Sequence, residues 1–377
     1  MISIYSSIFF VVLNNFKISS SFLMTDILYT FLAFYFLYKL KKFQVTVLFK
    51  PLFYLSFFIF VSIINYIFYE NSTSLLSQFR FIWGLLIFWV FYIYFHQSLI
   101  RQETLFKAYL FFCTYCSIFI LLQNILFHVF KVNVFITFGE FDLIRNSMDG
   151  ATSGLDSMVR SGGFFREPSW YAIFMMPAIY MLFELKDYRR LIILILGILL
   201  CTSVTGFVYL CTFLFSIAIL SSSIKLKLYS ILLIILMPII LYWAFLTLPF
   251  IFERLIYVFE NGGGGSAETR IFEPFKHFYD NISFFGVDVT FLKDNGNVFF
   301  VNTFLYVFFS FGMVGTMVFL KLLISFKLRF IFLSISLLFA VVIEGLAGRI
   351  DFWIIVLICQ FIYNQNFHNF VYNQNNN

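Results

Sequence analysis

Runs of apolar residues, each long enough to cross a bilayer and separated only by short polar breaks, leave this chain one kind of solvent. A spanning helix needs ~20 such residues. By that measure the runs lie near 2–16, 22–39, 51–69, 80–97, 105–130, 168–185, 188–204, 206–223, 227–250, 299–322, 327–346 and 350–364. Only helices and closed barrels satisfy their backbone groups in hydrocarbon, and these runs lack the period-2 alternation of barrel strands. The sequence therefore predicts an all-α, polytopic integral membrane protein with about 12 transmembrane helices, in a range of 10–12. Composition agrees, because 62% hydrophobic and 12% charged residues stand far from the roughly 45–50% and 25% of water-soluble domains.

The net charge of +6 does not imply nucleic acid as a partner. Its lysines and arginines fall in short patches between apolar runs, where they set topology. Lys39, Lys41 and Lys42 follow the second run, Arg101 and Lys107 the fourth, Lys186, Arg189 and Arg190 the sixth, Lys225 and Lys227 the eighth, and Lys321, Lys327 and Arg329 the tenth. Every second loop is basic, which places both termini in the cytoplasm. The first run lacks a small-residue cleavage site and is expected to stay as an anchor. Two long loops, about 131–167 and 251–298, then face outward, and a polar, Asn/Gln-rich tail over 365–377 is expected to be disordered. The outer loops carry Arg145, Arg160, Arg166, Arg254, Arg270 and Lys276. These fit either a mixed solvated surface or an outward-facing anion site.

Cysteine and histidine usage points away from a disulfide framework or a metal. Cys113 and Cys116 spell C-x-x-C, but in mid-helix they read as small buried hydrophobes, and His96, His128, His277 and His368 are scattered. The most specific stretch is Val159 to Ala172, VRSGGFFREPSWYA. Pro168 suits a first helical turn, and Ser161 to Gly163 permit a tight turn before it. Glu167 then stands at a helix N-terminus, whose free N–H groups and dipole attract anions, with Arg160 and Arg166 close in sequence. The alternative is that Glu167 only complements its own helix dipole. Among intramembrane polar residues, Arg80, Gln123 and Asn124 are candidates for a cavity lining, with snorkelling the alternative for Arg80. Glu344 and Arg349 are spaced to pair across the last outer turn.

These segments resemble the O-antigen polymerase family (Wzy type) within the O-antigen ligase-like superfamily. Arg160, Ser161, Gly163, Phe165, Glu167, Pro168, Ser169 and Ala172 follow its R-x-S-G-x-F-x-x-E-P-S-x-x-A pattern, with a one-residue shift at the glycines. Thr202-Ser203-Val204-Thr205-Gly206 is similar to its short turn between two helices. Arg270 with Phe284-Phe285-Gly286-Val287 resembles its R…PLxGxG stretch, and Asn302-Thr303-Phe304-Leu305 with Gly312 and Gly315 resembles its H-N-x-x-L…G-x-x-G helix entry. Asp26 and Arg80 extend the likeness toward the N-terminus. The chain departs from the pattern at Val301, where ligases of the superfamily carry a histidine, and at Gly286, which lacks the second glycine of GxG.

The resemblance implies a metal-independent membrane glycosyltransferase that needs no cofactor. It would move a growing glycan from a polyprenyl pyrophosphate onto the next lipid-linked oligosaccharide, on the outer face. Membrane lipid and a chain-length regulator protein are the other implied partners. Breaking the bond between sugar C1 and pyrophosphate develops negative charge, which arginine stabilises through fixed bidentate donors. Arg160, Arg166 and Arg270 are the candidates for that charge. Glu167 is the favoured general base and His277 the second choice. Arg80, Asn302 and Ser169 are further substrate-binding candidates. Two alternatives remain at this level: an O-antigen ligase, which Val301 disfavours, and a flippase for lipid-linked oligosaccharide, which would show paired halves.

Overall fold

The computed structural model describes residues 2–15, 24–40, 45–69, 72–130, 163–165, 168–201, 203–220, 283–287, 302–325, 330–343 and 349–364, with a few positions between and after them, including Phe367 and Phe370. All regular structure among these residues is helical. Helix α1 (Ile2–Phe9) tightens into a 3-10 turn (Phe10–Asn15), and α2 (Met24–Lys39), α3 (Val45–Tyr69), α4 (Ser72–His96) and α5 (Leu99–Phe130) follow. After the first long loop come α6 (Pro168–Glu184), α7 (Tyr188–Leu200) and α8 (Val204–Leu220). After the second come α9 (Thr303–Leu323), α10 (Ile331–Ile343) and α11 (Ile350–Tyr363).

Four stretches are long and apolar enough to cross a bilayer: Val47–Phe68, Gln78–His96, Leu99–Leu126 and Thr303–Leu323. Shorter apolar helices accompany them, and the chain is a multi-pass membrane protein. Several expected spans are shorter than their apolar runs. Helix α7 has 13 residues, about 20 Å at 1.5 Å per residue, because the chain turns at Cys201 and Ser203 and returns as α8. The first run divides between α1 and the 3-10 turn, which ends at Asn14 and Asn15. The run at 227–250 falls mostly outside the described residues, as do most of the two long loops.

The helices pack around two centres. Helix α4 is packed by α2, α3, α5 and α11, while α6 is packed by α5, α7, α8, α10 and α11. Helix α11 serves both centres, which is why nearly its whole circumference is buried, from Ile350 to Tyr363. Faces turned away from these centres expose Phe31, Phe34, Phe53, Phe60 and Phe68 on α2 and α3. In water such rings would be a large aggregation surface; against acyl chains they are solvated.

The helix ends sort into two sets. Phe106 on α5 meets Phe367 and Phe370, and Tyr180 on α6 meets Phe367, so the ends of α5, α6 and α11 come together. This end carries Lys107, Lys186, Arg189 and Arg190, and the last turn of α9 adds Lys321 beside Lys50. Of the tail expected to be disordered over 365–377, the described residues are Phe367, Phe370 and Val371. Phe367 and Phe370, three residues apart, are both buried, since two rings on one side of the chain gain more from the helix bundle than the polar background loses.

Candidate functional site

The starts of α2, α4, α6, α8, α9 and α11 lie at the opposite end, and the described motif residues Asp26, Ser169, Ser203 and Asn302 stand at four of them. Helix α6 begins at Pro168, whose missing N–H costs nothing in a first turn. Gly163 just upstream takes a positive φ of 62°, the tight turn expected of the glycine pair. Two phenylalanines then fix the approach. Phe164 stacks on Phe119 at 4.5 Å, and Phe165 packs on Phe112, Tyr171 and Phe174, so a ring ahead of the helix clasps one in its first turns. Arg166 and Glu167 lie in sequence between these anchors and Pro168, outside the described residues, as do Arg160, Arg270 and His277.

Around the α6 start stand two other segments. The α7–α8 turn approaches through Cys201, whose thiol lies 3.9 Å from the Pro168 carbonyl. Ser203 opens α8, its hydroxyl accepting from the Gly206 N–H at 3.4 Å. Trp170 on α6 carries the Arg349 guanidinium over its ring. Arg349 in turn forms a forked ion pair with Asp351, donating from Nε to Oδ1 at 2.9 Å and from Nη2 to Oδ2 at 2.5 Å. Both side chains are about nine-tenths buried, so each charge depends on the other for solvation. Glu344, the partner expected for Arg349, lies outside the described residues; a carboxylate two residues along the chain holds it.

Arg80 donates to Asp26 at 3.0 Å, which ties α4 to α2. The Asp26 side chain is 9% exposed and that of Arg80 38%, so Arg80 reaches across the helix pair to a carboxylate while part of it meets solvent or headgroups. Ser169 is buried in the first turn of α6. Asn302 caps α9, its Oδ1 accepting from the Leu305 N–H at 2.9 Å. Gln123 and Asn124 are buried on α5, and Asn124 donates to the Ile120 carbonyl at 2.9 Å. Cys113 and Cys116 are buried and unpaired.

The last two motif segments meet within the membrane. Helix α9 breaks at Gly312, which sits at φ 69° and ψ −171°, a conformation all but closed to other residues. The break lies nine residues, about 14 Å, from the helix start at Thr303, at 1.5 Å per residue. Residues 283–287 run alongside it: Val287 N–H donates to Phe309 O at 2.7 Å, Met313 N–H to Ser283 O at 2.9 Å and Val314 N–H to Phe284 O at 3.4 Å. The Ser310 carbonyl at the break accepts from Asn65 at 2.6 Å and Gln78 at 3.1 Å. Irregular backbone at this depth is tolerable only when buried in protein and hydrogen-bonded; Ser310, Gly312 and Gly286 are buried and bonded, while Phe284 and Phe285 point outward and stay exposed. Gly286 and Gly312 permit the approach, since a Cβ on either would collide with the backbone of the other strand.

Reading the sequence missed Asp351, Trp170, Asn65 and Gln78. Asn65 and Gln78 carried the same signal as Gln123 and Asn124, a polar amide inside or beside an apolar run. Trp170 stood within the most specific motif, unassigned. Comparison with protein-family models, curated proteins and solved structures finds no match.

Proposed function

We propose that this protein is a polysaccharide repeat-unit polymerase of a bacterial inner membrane. It would transfer a growing glycan from polyprenyl pyrophosphate to the next lipid-linked oligosaccharide on the outer face. The observation that carries the reading is the meeting of the α6 start, the Ser203 turn and the Arg349–Trp170 stack at one end of the bundle, opposite the basic loops. If those basic loops are cytoplasmic, that end is the outer one and both termini lie inside. Two helix starts side by side favour an anionic substrate group there.

In this reaction the bond between sugar C1 and the pyrophosphate oxygen breaks, and a bond forms between C1 and the acceptor hydroxyl oxygen. Glu167 takes the hydroxyl proton, and the leaving pyrophosphate keeps the bonding electrons. Arg160, Arg166 and Arg270 stabilise that charge without a metal. His277 is the second candidate for the base. Phe164 and Phe165 support the assignment by fixing the chain immediately before Arg166 and Glu167.

The test is a gel profile of surface polysaccharide from a deletion strain complemented with wild-type, Arg270→Ala or Glu167→Gln protein. Deletion and both variants are expected to leave acceptor capped by a single repeat unit, with the variants present in the membrane at wild-type level. Full-length polymer retained on the polyprenyl carrier would instead identify a ligase. A second reading, a flippase, draws on the break in α9, because transporters place binding sites at discontinuous helices. Repeat units trapped in the inner leaflet would favour it over the polymerase.

A further inference from the structure

At the basic end, a cavity of about 550 Å³ opens between α1, α5, the α6–α7 turn and Phe370. Its size lies within the roughly 300–1,000 Å³ of small-ligand sites. Lys107 from α5 and Arg190 from α7 face it, with Tyr5, Asp187, Phe111 and Phe370 also in its wall. Asp187 caps α7 and engages only part of Arg190, accepting from Nε at 2.6 Å and from the backbone N–H at 3.2 Å. Among the described residues the two terminal guanidinium nitrogens have no carboxylate, and Lys107 has no ion-pair partner. Two cations against one carboxylate give the cavity a positive balance, with Lys186 and Arg189 adjoining in sequence.

Its apolar side is continuous with the membrane surface. Phe111 begins an exposed stripe on α5 that continues through Tyr115, Ile118, Leu122 and Ile125. The spacing of four, three, four and three residues keeps the stripe on one helix face as it leaves the basic end. A small soluble anion would use the cations and leave the stripe idle. A lipid uses both.

We propose that this cavity holds the headgroup of an anionic phospholipid, from the leaflet at the basic end. Lys107 and Arg190 bind its phosphate, the Tyr5 hydroxyl contacts its polar headgroup, and an acyl chain lies along the α5 stripe from Phe111. Arg190 presents its terminal nitrogens because Asp187 holds the Nε side of the guanidinium, which sets the plane of the fork. Basic recesses between membrane helices bind acidic lipids in this way. The site is independent of the polymerase reading.

The test uses the full-length protein in neutral detergent, titrated with short-chain phosphatidylglycerol or phosphatidylcholine, with bound lipid counted by native mass spectrometry. Phosphatidylglycerol should bind more tightly than phosphatidylcholine. Lys107→Gln should weaken it about fivefold, and Lys107→Gln with Arg190→Gln about 25-fold, at the usual increment per basic residue near a membrane surface. Arg190→Lys, which keeps the charge but gives up the fork, should retain only part of the binding, and Lys225→Gln, away from the cavity lining, all of it. Lys107 is exposed, so its variant should keep the parent unfolding temperature in the absence of lipid. Equal binding of the two lipids, indifference to Lys107→Gln, or equal loss in Lys225→Gln would overturn the proposal. Displacement of the lipid by inorganic phosphate at matched concentration would also overturn it, by identifying a soluble-anion site.

Discussion

The break in α9 makes a demanding prediction for Gly312→Ala. A methyl group there meets the backbone of Phe284 and Gly286, and backbone cannot swing aside as the end of a flexible side chain can. The protein then has two courses. It can keep 283–287 in place, at a cost of about 1–3 kcal/mol for the backbone conformation and about 1–3 kcal/mol for overpacking. Or it can release the segment and forfeit the three backbone hydrogen bonds from Val287, Met313 and Val314, at about 0.5–1.5 kcal/mol each. The cheaper course sets the result, so the loss should be about 1.5–4.5 kcal/mol. Thermal or denaturant unfolding in detergent micelles measures it. Gly286→Ala strains the same approach from the other side, against Phe309 and Ser310, so the double variant should cost clearly less than the sum of the singles. If released, Phe285→Cys should react faster with a water-soluble maleimide in the Gly312→Ala background than alone. Stability of Gly312→Ala within 0.5 kcal/mol of the parent, or strictly additive glycine effects, would refute the pairing of these two segments.

Other outcomes follow from the ion pairs. Arg349→Met strands the buried Asp351 carboxylate and should destabilise by about 3–5 kcal/mol, whereas Arg349→Met with Asp351→Leu should recover much of that loss; a double variant as unstable as the single would exclude the pair as the cause. Burial works to raise the Asp187 pKa, but hydrogen bonds from Arg190 and the charges of Arg190 and Arg189 outweigh it and hold the carboxyl below its ordinary value. A carboxyl lowered on folding stabilises the protein above its unfolded pKa, and that contribution fades as pH falls through the folded value. The unfolding-temperature gap between parent and Asp187→Asn, which keeps a capping oxygen, should therefore be full at neutral pH and narrow as pH falls below the ordinary carboxyl value; a gap that widens on acidification would contradict the ion pair.

Spans, their order and the sorting of charge were legible in the sequence because they depend on one-dimensional quantities. Apolar length decides whether a segment can leave water, and loop charge is counted along the chain, so α2 to α6 and α9 fall close to their expected runs. The tight turn at Gly163 and the start at Pro168 were legible for a local reason, since both rest on backbone angles that a few residues dictate. Asn302 carries a capping residue type, yet its assigned role came from motif likeness and overlooked the cap.

The tertiary structure decided the partners, because partners come from distant parts of the chain. Arg80 has Asp26 on another helix within reach only after α2 and α4 pack. Nothing in the spacing of Arg349 and Glu344 reveals that Asp351 and the Trp170 ring hold the guanidinium. Phe367 and Phe370 sit in a polar tail whose composition argues for disorder, and burial against Phe106 is a gain visible only with the bundle assembled. The break at Gly312 is the clearest case. Residues 303–323 read as one unbroken apolar run, and the free energy that breaks it comes from hydrogen bonds to residues 283–287 and to Asn65 and Gln78, which no local pattern contains. In hydrocarbon an unpaired backbone group costs several kcal/mol, so a sequence can leave such a group only where the fold returns a partner to it.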